Sequence, residues 1–198
     1  MEWQQRLNYP SLAIQTMRSI PYLEKGREGR IIQAIETNQF CPKSSGFHHS
    51  RYAPLIKFMF ATGCRPSEAI ALQWKHTSAD FKQITFEQVM IGTDRGRQVR
   101  QGLKTQEQRR FPSNTSLVAL LQSIKPKDAQ PESLVFPSPE GGNINLNNFR
   151  NRTWKTVLKG LGIEYRKLYQ TRHTFITLAL ETGKLDAKDL ARLVGNSP

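Results

Sequence analysis

A tight polar elbow between two apolar stretches is the feature that most constrains how this chain folds. Residues 60–74 read FATGCRPSEAIALQW, so a glycine, the charged Arg65 and Pro66 interrupt segments that are otherwise apolar. Glycine is favoured just after a helix and proline in the first turn of the next, so two helices are predicted to meet here. A charge at such a junction is costly unless it is paired, so Arg65 either pairs within the protein or faces an external anion.

The net charge of the chain narrows the class of that anion. The 198 residues include 29 Lys and Arg against 16 Asp and Glu, a formal charge of +13, which favours a polyanion such as nucleic acid. Cys41 and Cys64 lack metal-ligand spacing and are predicted to be free thiols in a reducing compartment. No apolar run is long enough to span a bilayer. We therefore expect a cytoplasmic, nucleoid-associated protein that does not bind membranes.

The apolar periodicity predicts a mainly α-helical domain with one small antiparallel β-sheet, an α+β fold. Residues 1–25 are predicted to be an arm or linker, and residues 26–198 a single domain. Strands are predicted within 82–91, 98–105 and 109–114, with Lys104 near the tip of a hairpin between the last two. Helices are predicted within residues 28–40, 51–62, 66–74, 115–125, 145–162, 171–183 and 186–195.

Three basic residues lie at positions where we expect the side chain to have a role beyond exposure to solvent. Arg65 lies in the elbow, and Arg172 opens the apolar helix that contains HTFITLAL. A helix N-terminus disfavours a cation unless an anion binds there as well. Two guanidinium groups at such junctions can hold one phosphate between them, and a lysine such as Lys104 can act as a general acid.

Each of these residues also has a purely structural interpretation. Arg65 can form a helical ion pair with Glu68, three residues further on. Arg172 can pair with Glu181 or Asp186. Lys104 can be an exposed hairpin lysine that discourages pairing with another strand. Composition and spacing alone leave both sets of interpretations open.

The order of four motifs resembles the catalytic domain of the tyrosine recombinases, the phage integrase family. The motifs are FMFATGCRPSEAIALQW, GLKTQEQRRFP, YQTRHTFITLALETG and ARLVGNSP, within residues 28–198. The family's Arg-His-Thr box is met by Arg172, His173 and Thr174, and its Leu-Gly-His box loosely by residues 193–196. Its first box, T-G-x-R-x-x-E-x-x-x-L-x-W, is met by Thr62, Gly63, Arg65, Glu68, Leu72 and Trp74.

The resemblance implies the fold of the DNA breaking–rejoining enzymes and their chemistry. In this family a tyrosine attacks a DNA phosphodiester and forms a 3′-phosphotyrosine, which needs no metal and no other cofactor. Arg65 and Arg172 would hold the non-bridging oxygens, and Lys104 would protonate the departing 5′-oxygen. Glu68 would brace Arg65, and His173 would support the site. In this assignment, the charged Arg65 of the elbow binds a phosphate.

The chain departs from the family pattern at two donors and at the nucleophile. The family's full second box is H-x-x-R-H-T, and Tyr169 occupies the position of its first histidine, three residues before Arg172. Asn196 replaces the histidine of the Leu-Gly-His box. A phenol or an amide can donate to a phosphate oxygen but cannot serve as a base at neutral pH. No tyrosine follows Tyr169, whereas the family's nucleophile lies beyond the Leu-Gly-His box. We expect a catalytic domain that ends before its nucleophile and is inactive alone.

Double-stranded DNA is the expected partner, and three readings of the chain remain. The first is a domain of a site-specific recombinase that is tetrameric on paired DNA sites at full length and monomeric as this fragment. The second is a non-catalytic DNA-binding remnant or accessory protein of the same family. The third is an unrelated nucleic-acid-binding module. The cations expected to contact DNA are Arg109, Arg110, Arg150 and Arg152.

Overall fold

The computed structural model describes residues 26–94, 96–103, 108–183 and 185–195. A π-helical segment, Arg150–Trp154, joins two of its α-helices into one helical run, and two 3-10 turns span His49–Tyr52 and Trp74–His76. The predicted arm at residues 1–25 lies outside the described residues. The α-helices are α1 (Arg27–Glu36), α2 (Ala53–Thr62), α3 (Pro66–Ala69), α4 (Thr115–Ile124), α5 (Leu146–Phe149), α6 (Lys155–Gly160), α7 (Gln170–Glu181) and α8 (Ala187–Val194).

The helix ends follow the capping residues in the sequence. Gly63 ends α2 in the left-handed conformation with φ of 58°, as the elbow predicts. The side chain of Asn114 caps α4 by accepting a hydrogen bond from Leu117 N at 2.8 Å. Asp186 caps α8 in the same way through Asp189 N at 2.7 Å. Helices are confirmed in six of the seven predicted ranges, whereas the range 66–74 contains only the short α-helix Pro66–Ala69. The chain is mainly α-helical.

The strands pair differently from the prediction. They are β1 (Gln83–Phe86), β2 (Gln88–Thr93), β3 (Gly96–Gln101) and β4 (Arg109–Pro112). The described strands form two separate antiparallel pairs, β1 with β4 and β2 with β3. The prediction that β3 and β4 pair as a hairpin beneath Lys104 is wrong, because β2 and β3 are an inserted hairpin that separates β4 from β1 in sequence.

Helix α2 is central to the core. It packs against α1, α3, α4 and α7, and side chains such as Ile56, Phe58 and Met59 are fully buried. A row of aromatic rings continues from this helix through the β1–β4 pair to α7, with neighbouring centroids 4.9 to 6.5 Å apart. The elbow is thereby fixed to β4 and α7, which carry other predicted site residues. The rings are Phe136, Phe58, Phe86, Phe111 and Phe175.

None of the helices within the described ranges combines the length and the apolar character needed to cross a membrane.

Candidate functional site: a buried guanidinium cluster

Arg65 lies at the N-terminal cap of α3, directly after the elbow. Its backbone is extended, with φ of −70° and ψ of 142°, so its N–H and its side chain both face the first turn of α3. The backbone N–H donates to Glu68 Oε2 at 2.8 Å, and Nη1 donates to Glu68 Oε1 at 2.8 Å. Nη2 donates to the carbonyl of Gly195 at 2.9 Å, which ties the elbow to the end of α8. The predicted Arg65–Glu68 ion pair is therefore present.

Glu68 is the carboxylate on which two guanidinium groups converge. Its side chain is fully buried, and its Oε2 accepts a second hydrogen bond, from Arg109 Nη2 at 2.7 Å. Arg109 is itself buried, and its Cζ lies 4.1 Å from the centroid of the Phe86 ring. Phe86 is the residue opposite Arg109 in the β1–β4 register, so strand pairing produces this cation–π contact.

Arg172 joins the same cluster from α7. It is fully buried, and its Nη1 donates to the carbonyl of Gly63 at 2.8 Å. Two features favour glycine at position 63: its positive φ, and the lack of space for a side chain beside Phe175. A Cβ on Gly63 would lie 2.5 Å from the Phe175 ring. The elbow thus approaches α7 closely enough for Arg172 to contact its backbone.

The ionisation of these groups follows from burial and from each other's charges. Burial alone would raise the pKa of Glu68, but the charge of Arg109 and the hydrogen bonds from Arg109 and Arg65 outweigh it, so the pKa is lowered. Burial also lowers the pKa of Arg172, and the charges of Arg65 and Arg109 add to that effect. Arginine nevertheless stays protonated in proteins. The cluster therefore contains three cations around one carboxylate.

Tyr169 and His173 lie at the exposed side of this cluster. Tyr169 is 38% exposed, its ring packs edge-on against His173 with centroids 5.3 Å apart, and Arg172 Cζ lies 6.0 Å from its centroid. The two rings therefore border Arg172 on α7. The cluster of Arg65, Glu68, Arg109, Arg172, Tyr169 and His173 is called the guanidinium cluster below.

Comparison with protein families identifies the group to which the chain belongs. A family model described as the phage integrase family matches residues 22–197. The chain belongs to the phage integrase family. The family was predicted from the order of the four motifs, and that prediction is confirmed.

A sequence relative and several solved structures place this integrase-family chain among longer proteins. A tyrosine recombinase XerC-like protein of Caldanaerobacter subterraneus subsp. tengcongensis is 28% identical over 74% of this chain and 43% of its own length. The chain thus spans less than half the length of that curated relative.

The solved structures share the fold of the chain. The Tn1549 transposon integrase in complex with a circular intermediate DNA matches with a TM-score of 0.69, at 17% identity over 90% of this chain and 58% of that one. The XerH recombinase bound to its difH substrate matches with a TM-score of 0.58, at 17% identity over 90% of this chain and 48% of that one. At these identities the similarity confirms the predicted recombinase catalytic-domain fold.

The remaining predicted site residues are divided between other places. Lys104 and Asn196 lie outside the described residues. Arg110 is half-buried in β4, opposite Thr85. Arg150 and Arg152 belong to the π-helical segment, where Arg152 is exposed.

Arg152 also lines a cavity of about 730 Å³ between the 42–49 loop, the 138–145 loop and the helical run. Arg97 of the β2–β3 hairpin lines it from another side and donates to the carbonyl of Ile144 at 3.2 Å. Arg65 and Arg172 are not among the described residues that line this cavity. The cavity and the guanidinium cluster are therefore separate features of the surface.

The expectation that Arg109 faces DNA is not met by its position, since its side chain is 1% exposed and pairs with Glu68. Strand alternation contained the signal. Arg109 and Phe111 are two residues apart and so share one face of β4, and a phenylalanine face belongs to the core. The interpretation of RRFP as a basic surface stretch overlooked this pattern.

Proposed function

We propose that this chain is the catalytic domain of a site-specific DNA recombinase, one that holds a DNA phosphodiester for transesterification through a 3′-phosphotyrosine. The observation that carries the proposal is that two guanidinium groups meet at the elbow, that of Arg65 and that of Arg172, which donates to the Gly63 carbonyl. Arg65 and Arg109 both pair with the carboxylate of Glu68, and Arg172 interacts electrostatically with all three. Cations that are held close together attract an anion that can bind between them.

The proposed anion is a phosphodiester, since guanidinium groups match phosphate oxygens in both charge and geometry. The described residues engage two of the five N–H donors of the Arg65 side chain, through Glu68 and Gly195. Its side chain is 16% exposed, so the group reaches the surface while its orientation is fixed from behind. Arg172 would contribute the second guanidinium of the clamp from α7.

The other roles are assigned to residues that match the family's motifs. Lys104 would protonate the departing 5′-oxygen as general acid. Tyr169, at the exposed side of the cluster, and Asn196 would donate hydrogen bonds to the phosphate. Glu68 would orient Arg65, and His173 would support Tyr169, against which it packs. The nucleophilic tyrosine is not assigned to any residue of this sequence.

The proposed substrate is double-stranded DNA, bound by residues 26–198 as one domain in a nucleoid-associated protein. Two structures of the Tn1549 transposon integrase that share this fold are described as complexes with DNA. Arg150 and Arg152 on the helical run and Arg110 on β4 would contact the phosphate backbone outside the clamp. At full length the protein would act as a tetramer on paired sites.

DNA binding is tested by fluorescence anisotropy with a labelled 30-base-pair duplex at several salt concentrations. We expect log affinity to fall linearly with log salt, and Arg65→Gln to lower the slope by about one, the effect of one lost phosphate contact. Lys127→Gln removes the same charge from an exposed loop residue and serves as the matched control. Binding that is absent at low salt, or insensitive to salt, would refute the nucleic-acid function.

Strand cleavage is tested on the longest native form of the chain with a library of nicked duplexes. We expect a covalent protein–DNA adduct that Arg65→Lys and Arg172→Lys abolish, because lysine cannot reproduce the planar fork of donors. Salt-dependent binding without any adduct would instead support the non-catalytic relative that the motifs also allow.

A further inference from the structure

Arg109 is a charged residue in an apolar place. Its side chain is 1% exposed, it begins β4, and its guanidinium stacks 4.1 Å from the centre of the Phe86 ring. Two of its nitrogens, Nε and Nη1, are buried and have no hydrogen-bond partner among the described residues. Unpaired buried donors are costly, and an apolar side chain of similar volume would fill the same space without that cost. Packing therefore does not explain an arginine here.

The one hydrogen bond that the described residues make with the Arg109 side chain is directed at Glu68. Arg109 Nη2 donates to Oε2 at 2.7 Å, the same oxygen that accepts the Arg65 backbone N–H at 2.8 Å. The other oxygen, Oε1, accepts Arg65 Nη1 at 2.8 Å. Glu68 is therefore held from two sides, by α3 through Arg65 and by β4 through Arg109.

This arrangement fixes the direction of the Arg65 side chain. A carboxylate held only by Arg65 could rotate together with it, because both residues belong to the same short turn of helix. Arg109 comes from a different element, and β4 is anchored by pairing with β1 and by packing against α8. The bond from Arg109 thus gives Glu68, and through it Arg65, a second fixed contact outside the elbow, in addition to the Gly195 carbonyl.

We infer that Arg109 is a positioning residue, which acts through Glu68 to hold the Arg65 guanidinium in the orientation that binds phosphate. The inference rests on the proposed function, because it assumes that Arg65 contacts a phosphate. It assigns Arg109 to the support of Arg65 inside the protein, and not to direct contact with DNA. It also predicts that the charge and hydrogen bond of Arg109 matter, and not only its volume.

The test measures phosphate binding at Arg65 by NMR of the arginine Nε–Hε groups, with orthophosphate as the probe at constant ionic strength. In the wild-type chain we expect the Arg65 signal to shift with added phosphate. Arg109→Met, which keeps the volume, should weaken binding about fivefold or more, and Arg109→Lys should recover most of the loss. Lys57→Met is the control, because it removes the cation of the Lys57–Glu36 ion pair elsewhere in the fold.

Two further measurements separate positioning from packing. In the double variant with Glu68→Gln, Arg109→Met should cause no additional loss, because Arg109 acts only through that carboxylate. Wild-type affinity in Arg109→Met, equal losses in the Met and Lys variants, or additive losses in the double variant would each overturn the inference. If Arg109→Met does not fold, Arg109→Lys and the double variant still give this comparison.

Failure of the proposed function gives a different result. If orthophosphate does not shift the Arg65 signal in the wild-type chain, the phosphate clamp is refuted. The positioning role is then tested without phosphate, by measuring how fast the Arg65 guanidinium rotates about its Cζ–N bonds. We expect slow rotation in the wild-type chain, faster rotation in Arg109→Met and slow rotation again in Arg109→Lys. Equal rates in all three would overturn the positioning role independently.

Discussion

The guanidinium cluster and the β2–β3 hairpin contain the same kind of side chain in opposite environments. Arg65, Arg109 and Arg172 are buried or nearly so, and Glu68 lies among them. Every residue of β3 is exposed, including Arg97 and Arg100. The first region holds its cations in defined directions through hydrogen bonds from several elements. The second exposes them on a pair of strands whose other strand, β2, packs against α3, and Arg97 donates to the carbonyl of Ile144.

The difference shows what each region can contribute. A buried charge depends strongly on its partners, since water does not compensate it, so removing one partner is expensive. An exposed charge is screened and has little effect on stability, but it still attracts a polyanion at long range. The cluster is therefore suited to orient one phosphate, and the hairpin to add non-specific affinity.

The largest effect expected is that of Glu68→Ala on stability. The substitution leaves Arg65 and Arg109 without their shared carboxylate, and breaking a buried ion pair costs about 3–5 kcal/mol. Urea unfolding followed by circular dichroism measures this loss. Asp80→Ala, which breaks an exposed ion pair with Lys82, should cost less than about 1 kcal/mol. Similar losses in both variants would remove the distinction between buried and exposed pairs.

Two glycines sharpen the comparison through the backbone. Gly63 and Gly96 both have positive φ, of 58° and 107°, but only Gly63 has a close neighbour, the Phe175 ring. An alanine costs about 1–2 kcal/mol in the left-handed region, and overpacking adds about 1–3 kcal/mol. Gly63→Ala should therefore destabilise the chain more than Gly96→Ala in thermal unfolding. Equal shifts in melting temperature would mean that the elbow can move away from α7.

Acid should affect the cluster in a defined pH range. The pKa of Glu68 is lowered in the folded chain from its ordinary 4.5, so the unfolded state binds this proton more readily. Its contribution to stability is present in full above about pH 4.5 and is lost as the pH falls through that value towards the folded pKa. The stability difference between the wild-type chain and Glu68→Gln should therefore be constant near neutral pH and shrink below pH 4.5. A difference that grows on acidification would contradict the lowered pKa.

Much of the helical fold could be predicted, because local signals determine it. Gly63, Pro66, Asn114 and Asp186 mark helix ends by mechanisms that act within a few residues. Strand pairing was predicted wrongly because alternation identifies strands but not their partners. The inserted β2–β3 hairpin brings β4 back to β1 across more than twenty residues, and no local pattern encodes that return.

The site was predictable to the extent that motif order determines it. Arg65, Glu68 and Arg172 matched family positions, and the structure brings them together. The hydrogen bond from Arg65 to the Gly195 carbonyl joins residues 130 positions apart and depends on the packing of α8. The role of Arg109 needed the knowledge that β4 lies against the elbow. The sequence therefore indicated the proposed phosphate-binding residues, but not the residue that we infer to position them.

The smallest effect on stability is expected in the hairpin, where it separates the two regions most clearly. Arg97→Gln combined with Arg100→Gln should change the unfolding free energy by no more than about 0.5 kcal/mol per residue, as is usual for exposed positions. If both cations contact phosphates, the salt dependence of duplex binding should decrease by a slope of about two. Phosphate binding at Arg65, measured by NMR, should stay unchanged, because the hydrogen bonds of Glu68 among the described residues come from Arg65 and Arg109 and not from Arg97 or Arg100. A hairpin variant that weakens orthophosphate binding at Arg65 would show that the exposed and buried cations form one electrostatic unit, and the comparison would no longer hold.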